Sequence, residues 1–171
     1  MENEIKTQNG AIHTVSALVA NKPGVLARIA QVFARRGFNI ESLVVSPSTD
    51  GAYSRMTIGA SGKEGGLGQI LAQVNKLVDV LTCYDHTFDN AVVRELVLVK
   101  IGADTEQRTE ALQISGHFGC KTVDLTESSM IIMGTGETEK IDSLINMLQK
   151  FTLIEMVRTG KVVMVRGEEI T

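Results

Sequence analysis

A short turn between an alternating segment and an amphipathic segment constrains the fold of this chain most. Residues 12–19 alternate in the manner of a half-buried strand, with Val15, Ala17 and Val19 on one face. The apolar positions after the turn recur at helical spacing, and they are Leu26, Ile29, Ala30 and Phe33. The sequence therefore predicts a strand, a tight turn over residues 21–26 and a helix.

The residues of this turn are suited to binding an anion. Asn21 is predicted to cap the helix, and Pro23 fits its first turn, where the missing N–H costs nothing. Gly24 removes a side chain where backbone amides are still unpaired. Free amides at the positive end of a helix dipole suit a small carboxylate. An ordinary capped turn explains the same residues, so the turn alone leaves both interpretations open.

The pattern of the first half continues to a complete six-element unit. Strands are predicted over residues 38–45 and 53–60, joined by a turn that ends in the hairpin-favouring pair Asp50-Gly51. The next helix has a core stripe of Leu67, Ile70, Leu71 and Val74. A last strand follows over residues 78–87. The order βαββαβ is the ferredoxin-like arrangement, an antiparallel sheet with its helices on one face.

The same order of elements returns in the second half. We expect a polar extension over residues 1–11, a first domain over residues 12–88, a linker over residues 89–94 and a second domain over residues 95–171. The second domain is predicted to have strands at 95–101, 121–125 and 130–133, helices beginning at Asp104 and around Ile141–Leu148, and a closing hairpin of 153–158 with 161–166. The fold class is therefore α+β, with two tandem domains. The turn at residues 102–105 has no Pro-Gly pair, so the repeat keeps the topology but not the candidate site.

Several short strings in this sequence resemble known regulatory proteins. Residues 21–33 and 36–43 resemble the start of an ACT domain, a small amino-acid-sensing module. A more specific set comprises residues 37–43, 54–58, 76–80, 98–101 and 158–160, in that order. These strings are similar to the small, regulatory subunit of acetolactate synthase. The resemblance spans residues 12–167.

This resemblance implies a regulatory subunit that is not an enzyme by itself. It implies binding and activation of the large catalytic subunit of acetolactate synthase, which condenses two pyruvates, or pyruvate with 2-oxobutyrate, in branched-chain amino acid biosynthesis. Thiamine diphosphate, magnesium and FAD would be held by that partner, with no cofactor on this chain. The resemblance also implies feedback inhibition by valine or another branched-chain amino acid. A free-standing ACT-domain sensor of a different enzyme is the alternative.

The resemblance further implies an effector site shared by two chains, because ACT modules commonly join side by side. Its members are Asn21, Gly24, Val25 and Leu26 from one chain, and Asn39 and Ile40 from its partner. The helix-start amides would hold the effector's carboxylate, and the two asparagines would bond its charged groups. Read alone, Asn39 fits a turn after the helix-ending Gly37. A homodimer or larger assembly would also cover the sheet face that each small domain is expected to leave bare.

An apolar pocket without a charged group favours an aliphatic effector. Val25, Leu26 and Ile40 are its expected walls. Such pockets discriminate one methylene by only about 1–3 kcal/mol, so the class of effector is better determined than the choice of valine within it.

Composition and motifs exclude several other functions. A formal net charge of −3 and 4% aromatic residues argue against a nucleic-acid binder. No apolar run has the length of a membrane span or signal peptide, so a cytoplasmic protein is expected. The glycine-rich residues 62–66 lack the end of a phosphate loop, and residues 134–136 lack the third glycine of a dinucleotide fingerprint. We therefore predict no catalytic residues.

Two cysteines and two histidines have the composition of a zinc site. Cys83 and His86 lie three residues apart, as do His117 and Cys120. Residues at i and i+3 of a strand point to opposite faces, and the two pairs lie in different domains. Two free thiols are therefore the preferred interpretation, and the sequence does not say whether the four side chains meet.

Overall fold

A computed structural model describes residues 12–63 and 65–171. Its residues divide into two compact units: the second unit is Val93–Gly160, and the first unit comprises the described residues up to Val92 together with Lys161–Thr171. The polar extension predicted over residues 1–11 lies outside the described residues.

The first unit has the predicted βαββαβ order. Its elements are β1 (His13–Ala20), α1 (Val25–Arg35), β2 (Asn39–Pro47), β3 (Tyr53–Ser61), α2 (Leu67–Val74) and β4 (Val80–Asp85). The strands form an antiparallel sheet in the order β2-β3-β1-β4, so β2 and β4 are its edges. The ferredoxin-like prediction is confirmed.

Alternation along β1 and β3 produces the core of this unit. Val15, Ala17 and Val19 are fully buried, and they pack in one cluster with Ile29 and Phe33 of α1. The predicted inward face of β3 is also buried, and its members are Ser54, Met56, Ile58 and Ala60. The opposite face is not bare as expected, because Ser16, Thr57 and Ser61 expose 5% or less of their surface. The need to cover this face is therefore a weaker argument for dimerisation than the sequence indicated.

The remaining elements repeat the topology of the first unit. They are β5 (Ala91–Gly102), α3 (Thr105–His117), β6 (Lys121–Leu125), β7 (Ser129–Gly136), α4 (Thr138–Leu148), β8 (Thr152–Arg158) and β9 (Val162–Val165). The sheet order is β6-β7-β5-β8, and β9 also pairs with β5. Asp104 begins α3 as predicted, with a capping box that includes Gln107. The predicted stripe of α4 is confirmed by buried Ile141, Leu144 and Leu148.

The predicted closing hairpin is wrong. Both β8 and β9 pair with β5, so residues Thr159 and Gly160 interrupt an edge instead of joining two paired strands. The backbone N–H of Thr159 donates to the carbonyl of Leu96 at 3.0 Å, and its hydroxyl accepts from the Leu96 N–H at 3.1 Å. These bonds hold the chain beside β5 at the point where Gly160 adopts a φ of 80°.

The boundary between the two halves differs in detail from the expected linker. Strand β5 begins at Ala91, so most of residues 89–94 are strand. The closing segment Lys161–Thr171 groups with the first unit by its contacts. Strand β5 begins earlier than the predicted residue 95 because Val92 and Val93 continue the strand pattern of residues 95–101.

Candidate functional site

The turn before α1 leaves the amides of the helix start without a side-chain cap. Gly24 is the N-cap residue, with a φ of 84°, and no side chain of residues 12–63 or 65–171 bonds to the helix start. The prediction that Asn21 caps the helix is wrong. Its Nδ2 donates to the Gly51 carbonyl at 3.0 Å and its N–H to the Ala52 carbonyl at 3.0 Å, which ties it to the β2–β3 turn. Pro23 precedes the cap and does not occupy the first helical turn.

Glycine at position 24 meets a backbone requirement. A φ of 84° lies in the left-handed region, which costs a residue with a Cβ about 1–2 kcal/mol. A Cβ at this position would have no heavy atom within 4 Å. Among the described residues, the strain of the backbone and not a clash therefore requires glycine here.

The apolar residues of the turn have separate roles. Val25 is 2% exposed and belongs to the core, so its side chain is not a wall of an open pocket as expected. Leu26 is 39% exposed, so it does not belong to the core stripe as predicted, whereas Ile29 and Phe33 do. The observed stripe of α1 is Val25, Ile29, Val32 and Phe33. Leu26 is thus an apolar side chain beside uncapped amides.

The other two predicted site residues open strand β2. Asn39 is exposed, and Ile40 is half-buried against the core of the first unit. The Nδ2 of Asn39 donates to Oε1 of Glu41 at 2.9 Å, and the Ser61 hydroxyl donates to the same oxygen. These two bonds, the one from Ser61 first, lower the pKa of the Glu41 carboxyl, so it is ionised at neutral pH. A charged group therefore lies next to Asn39, which the sequence did not indicate.

Within one chain the two groups of site residues lie at opposite ends of the sheet. Asn21 bonds to Ala52, at the start of β3, whereas Asn39 pairs with Ser61, at its end. Nine residues of strand separate these positions, about 30 Å at about 3.3 Å per residue. A single chain does not bring the six residues together.

A serine, a histidine and an aspartate in the first unit have the connectivity of a catalytic triad. The hydroxyl of Ser16 lies 2.7 Å from Nε2 of His86, and Nδ1 of His86 lies 2.8 Å from Oδ2 of Asp89. Ser16 is 2% exposed and lies in a central strand, so its oxygen does not face a substrate. The network links the end of β4 to β1, and the sequence analysis missed it.

The cysteines and histidines of the suspected zinc site have other surroundings. His86 is engaged by Ser16 and Asp89, and burial raises the pKa of the Cys83 thiol to about 12. In the described residues, no group of three or more His, Cys, Asp or Glu side chains is arranged for a metal ion. Both cysteines are free thiols.

The glycine-rich segments have packing roles. A Cβ on Gly62 or Gly66 would lie within 2.8 Å of the Phe38 ring, so these glycines make room for it. A Cβ on Gly134 would lie 2.7 Å from Leu144 Cδ2, which explains the glycine within β7. Among the residues that the structure covers, no helix is long and apolar enough to cross a bilayer.

Comparison with protein families gives two matches that together span most of the chain. The family described as "AHAS small subunit-like ACT domain" matches residues 15–82. The family described as "Small subunit of acetolactate synthase" matches residues 94–167. The first match contains the turn before α1 and the start of β2.

Individual relatives agree with these families. A "Probable acetolactate synthase small subunit" of Archaeoglobus fulgidus is 41% identical over 157 residues, which cover 92% of this chain and 98% of that protein. The "Acetolactate synthase small subunit" of Mycolicibacterium smegmatis is 41% identical over 155 residues, 91% of each chain. The crystal structure of the small subunit from Thermotoga maritima superposes with a TM-score of 0.82 at 38% identity, covering 94% of this chain and 100% of that one.

Proposed function

Because this chain belongs to the acetolactate synthase small-subunit family, we propose that it binds and activates the catalytic subunit and confers feedback inhibition by valine. The reaction would take place on the large subunit, with its thiamine diphosphate, magnesium and FAD. This chain would contribute regulation only, in the cytoplasm. A sensor of an unrelated enzyme is disfavoured by the extent of the family match.

The main support for a shared effector site is the separation of its two halves within one chain. Asn21 and Asn39 lie at opposite ends of the same sheet, about 30 Å apart by strand geometry. A two-fold axis that pairs the β2 edges of two chains antiparallel reverses one sheet against the other. Asn39 of one chain then lies beside the Pro47 end of its partner, and that end also carries Asn21.

Each part of an amino acid has a matching group in this two-chain site. The uncapped amides of Val25 and Leu26 would bind the carboxylate, helped by the helix dipole. The Glu41 carboxylate and the Asn39 side-chain oxygen of the partner would accept bonds from the ammonium group. Leu26 and Ile40 would contact an aliphatic side chain. This arrangement supports valine or a neighbouring branched-chain amino acid.

Inhibition would follow from linkage between two ligands of the dimer. The effector favours one geometry of the β2–β2 boundary, and the catalytic subunit favours another. A coupling free energy of about 1–3 kcal/mol is enough for 5–150-fold inhibition. The same coupling requires the catalytic subunit to weaken valine binding by an equal factor.

The test is to mix purified chain and catalytic subunit and to titrate valine while acetolactate formation is measured. We expect the chain to stimulate the reaction and valine to remove that stimulation. Sedimentation of the chain alone, with valine present, should show a dimer or larger species. An 18.5 kDa monomer at micromolar concentration would rule out the shared site, and no stimulation would rule out the proposed partner.

A further inference from the structure

The sheet of the second unit has a depression on the face opposite its core. Its volume is about 160 Å³, and it is lined by Leu98, Lys100, Ile131, Glu155 and Val157. On the other face of the same central strand, Val97, Val99 and Ile101 are fully buried. The lining side chains therefore belong to the outer face of β5 and of its neighbours β7 and β8.

Strand register places two opposite charges side by side in the depression, with apolar residues next to them. Lys100 is directly opposite Glu155 of β8, and two residues along the same face Leu98 is opposite Val157. Ile131 of β7 pairs with Lys100 from the other side. The cation and the anion are thus next to an apolar floor, at the spacing of neighbouring strands.

Neither charge is engaged by another described residue. In the described parts of the chain, Lys100 and Glu155 take part in no ion pair, although the strand register sets them opposite one another. Lys100 is half-buried, and its charge faces the open side of the sheet. Other basic residues in this unit, such as Lys150 and Arg158, do have carboxylate partners. Space between two unpaired opposite charges is complementary to a molecule that carries both.

We propose that this depression is a second amino-acid site, which binds a small zwitterion with an aliphatic side chain. Lys100 binds the carboxylate, Glu155 binds the ammonium group, and Leu98, Ile131 and Val157 contact the side chain. The site lies within one unit of one chain, so it needs no partner. It is separate from the effector site of the first unit and does not depend on the function proposed for that site.

Because the depression is open to water, we expect it to bind its ligand weakly. Exposed ion pairs contribute little, so the ligand gains from two charge contacts together with apolar burial and not from either alone. We expect a dissociation constant of about 1 mM for valine. Ligands that lack one charge should bind at least about tenfold more weakly.

Methyl NMR of the full-length chain tests the proposal, because both sites carry methyl groups. With valine as the probe, Leu98, Ile131 and Val157 should shift along one saturable curve, and Leu26 and Ile40 report the first unit separately. Isovalerate lacks the ammonium group and isobutylamine lacks the carboxylate, so each should shift the second-unit methyls at least about tenfold less effectively. Equal responses to all three compounds would overturn the proposal.

Charge-neutralising variants sharpen the test. Lys100→Met and Glu155→Gln keep the side-chain length and should each weaken the second-unit response at least about tenfold, without moving the first-unit curve. Lys121→Met and Glu127→Gln change exposed charges outside the depression and should leave both curves unchanged.

Shifts confined to Leu26 and Ile40 overturn this proposal and leave the proposed function standing. Shifts confined to the second unit support this proposal and overturn the effector site proposed for the first unit. Second-unit shifts that follow protein concentration alone show a contact between copies and also overturn it.

Discussion

Helix α1 of the first unit begins at uncapped Gly24, whereas α3 at the equivalent place in the second unit begins at Asp104. Oδ1 of Asp104 accepts from the N–H groups of Glu106 and Gln107 at 3.0 and 2.9 Å. Oε1 of Gln107 accepts in return from the N–H of Asp104 at 3.2 Å. The same strand-to-helix turn therefore leaves its donors open in one unit and satisfies them internally in the other.

This difference separates the roles of two turns that share one topology. A capping box stabilises a helix by occupying the amides that an anion would use. Gly24 provides no such cap, and among the described residues no other side chain takes its place. Of these two equivalent helix starts, only the one in the first unit leaves its amides available to an anion.

The largest expected effect comes from placing a carboxylate at the start of α1 in the first unit. Leu26→Asp adds a negative charge in the first turn of α1, where it suits the helix dipole and repels the effector. We expect the half-inhibition concentration of valine to rise at least about a hundredfold, or about 2.7 kcal/mol, with activation retained. The measurement is the valine titration of the assembled enzyme.

Leu26→Asn is the matched control, because it has the same shape as the aspartate without the charge. It should lose the apolar contact only and raise the half-inhibition concentration by about tenfold. Equal effects of the two variants would mean that the helix start does not hold a carboxylate.

The next effect concerns the backbone of the open turn. Gly24→Ala should lower the free energy of unfolding by about 1–2 kcal/mol, because alanine is strained at a φ of 84° and gains no contact. Gly68→Ala is the control, since Gly68 lies in α2 with open space around it and its replacement should stabilise the helix. Urea unfolding measures both. A neutral Gly24→Ala would remove the backbone argument for glycine here.

A smaller change is expected at the other half of the shared site. Glu41→Gln keeps an acceptor for Ser61 and Asn39 and removes the charge that faces the effector's ammonium group. Valine affinity should fall about tenfold, or about 1.4 kcal/mol, by calorimetry. Glu106→Gln, an exposed change on α3, should have no effect. An unchanged affinity for Glu41→Gln would exclude this carboxylate from recognition.

The smallest effect is expected in the closed turn of the second unit. Asp104→Ala removes the cap and should cost about 1 kcal/mol of stability, a fall in Tm of about 2–4 °C. Valine sensitivity should stay the same. Glu137 occupies the cap position of α4 without a cap bond, so Glu137→Ala should cost less. A loss of valine sensitivity in Asp104→Ala would contradict the division of roles between the two turns.

Most of the fold was predictable because its signals are local. Alternation in β1 and β3 and the helical spacing in α2 and α4 each identify a buried face without knowledge of distant contacts. The failures involve partners far away in sequence. Asn21 does not cap α1 because the β2–β3 turn takes its hydrogen bonds, and Thr159-Gly160 makes no hairpin because Leu96 binds it. The Ser16–His86 contact likewise depends on strand register across 70 residues.

Only part of the candidate site could be predicted from the sequence, for a similar reason. The sequence identified Gly24 but not why glycine is needed, since a left-handed φ is not visible in residue spacing. Leu26 was expected in the core because both Val25 and Leu26 lie at helical spacing from Ile29 and Phe33, and the structure buries Val25. Strand spacing could not place Glu41, because the register between β2 and β3 shifts between Ile40 and Ser42 and leaves Glu41 unpaired.

The separation of Asn39 from Asn21 along one sheet has a genetic consequence. In the proposed dimer, each effector site takes one half from each polypeptide, so two damaged alleles need not give two damaged sites. A chain with Leu26→Asp that pairs with a chain with Glu41→Gln would collect both lesions in one site and leave the other intact. Coexpression of the two alleles would then restore inhibition at valine concentrations that do not inhibit either variant expressed alone.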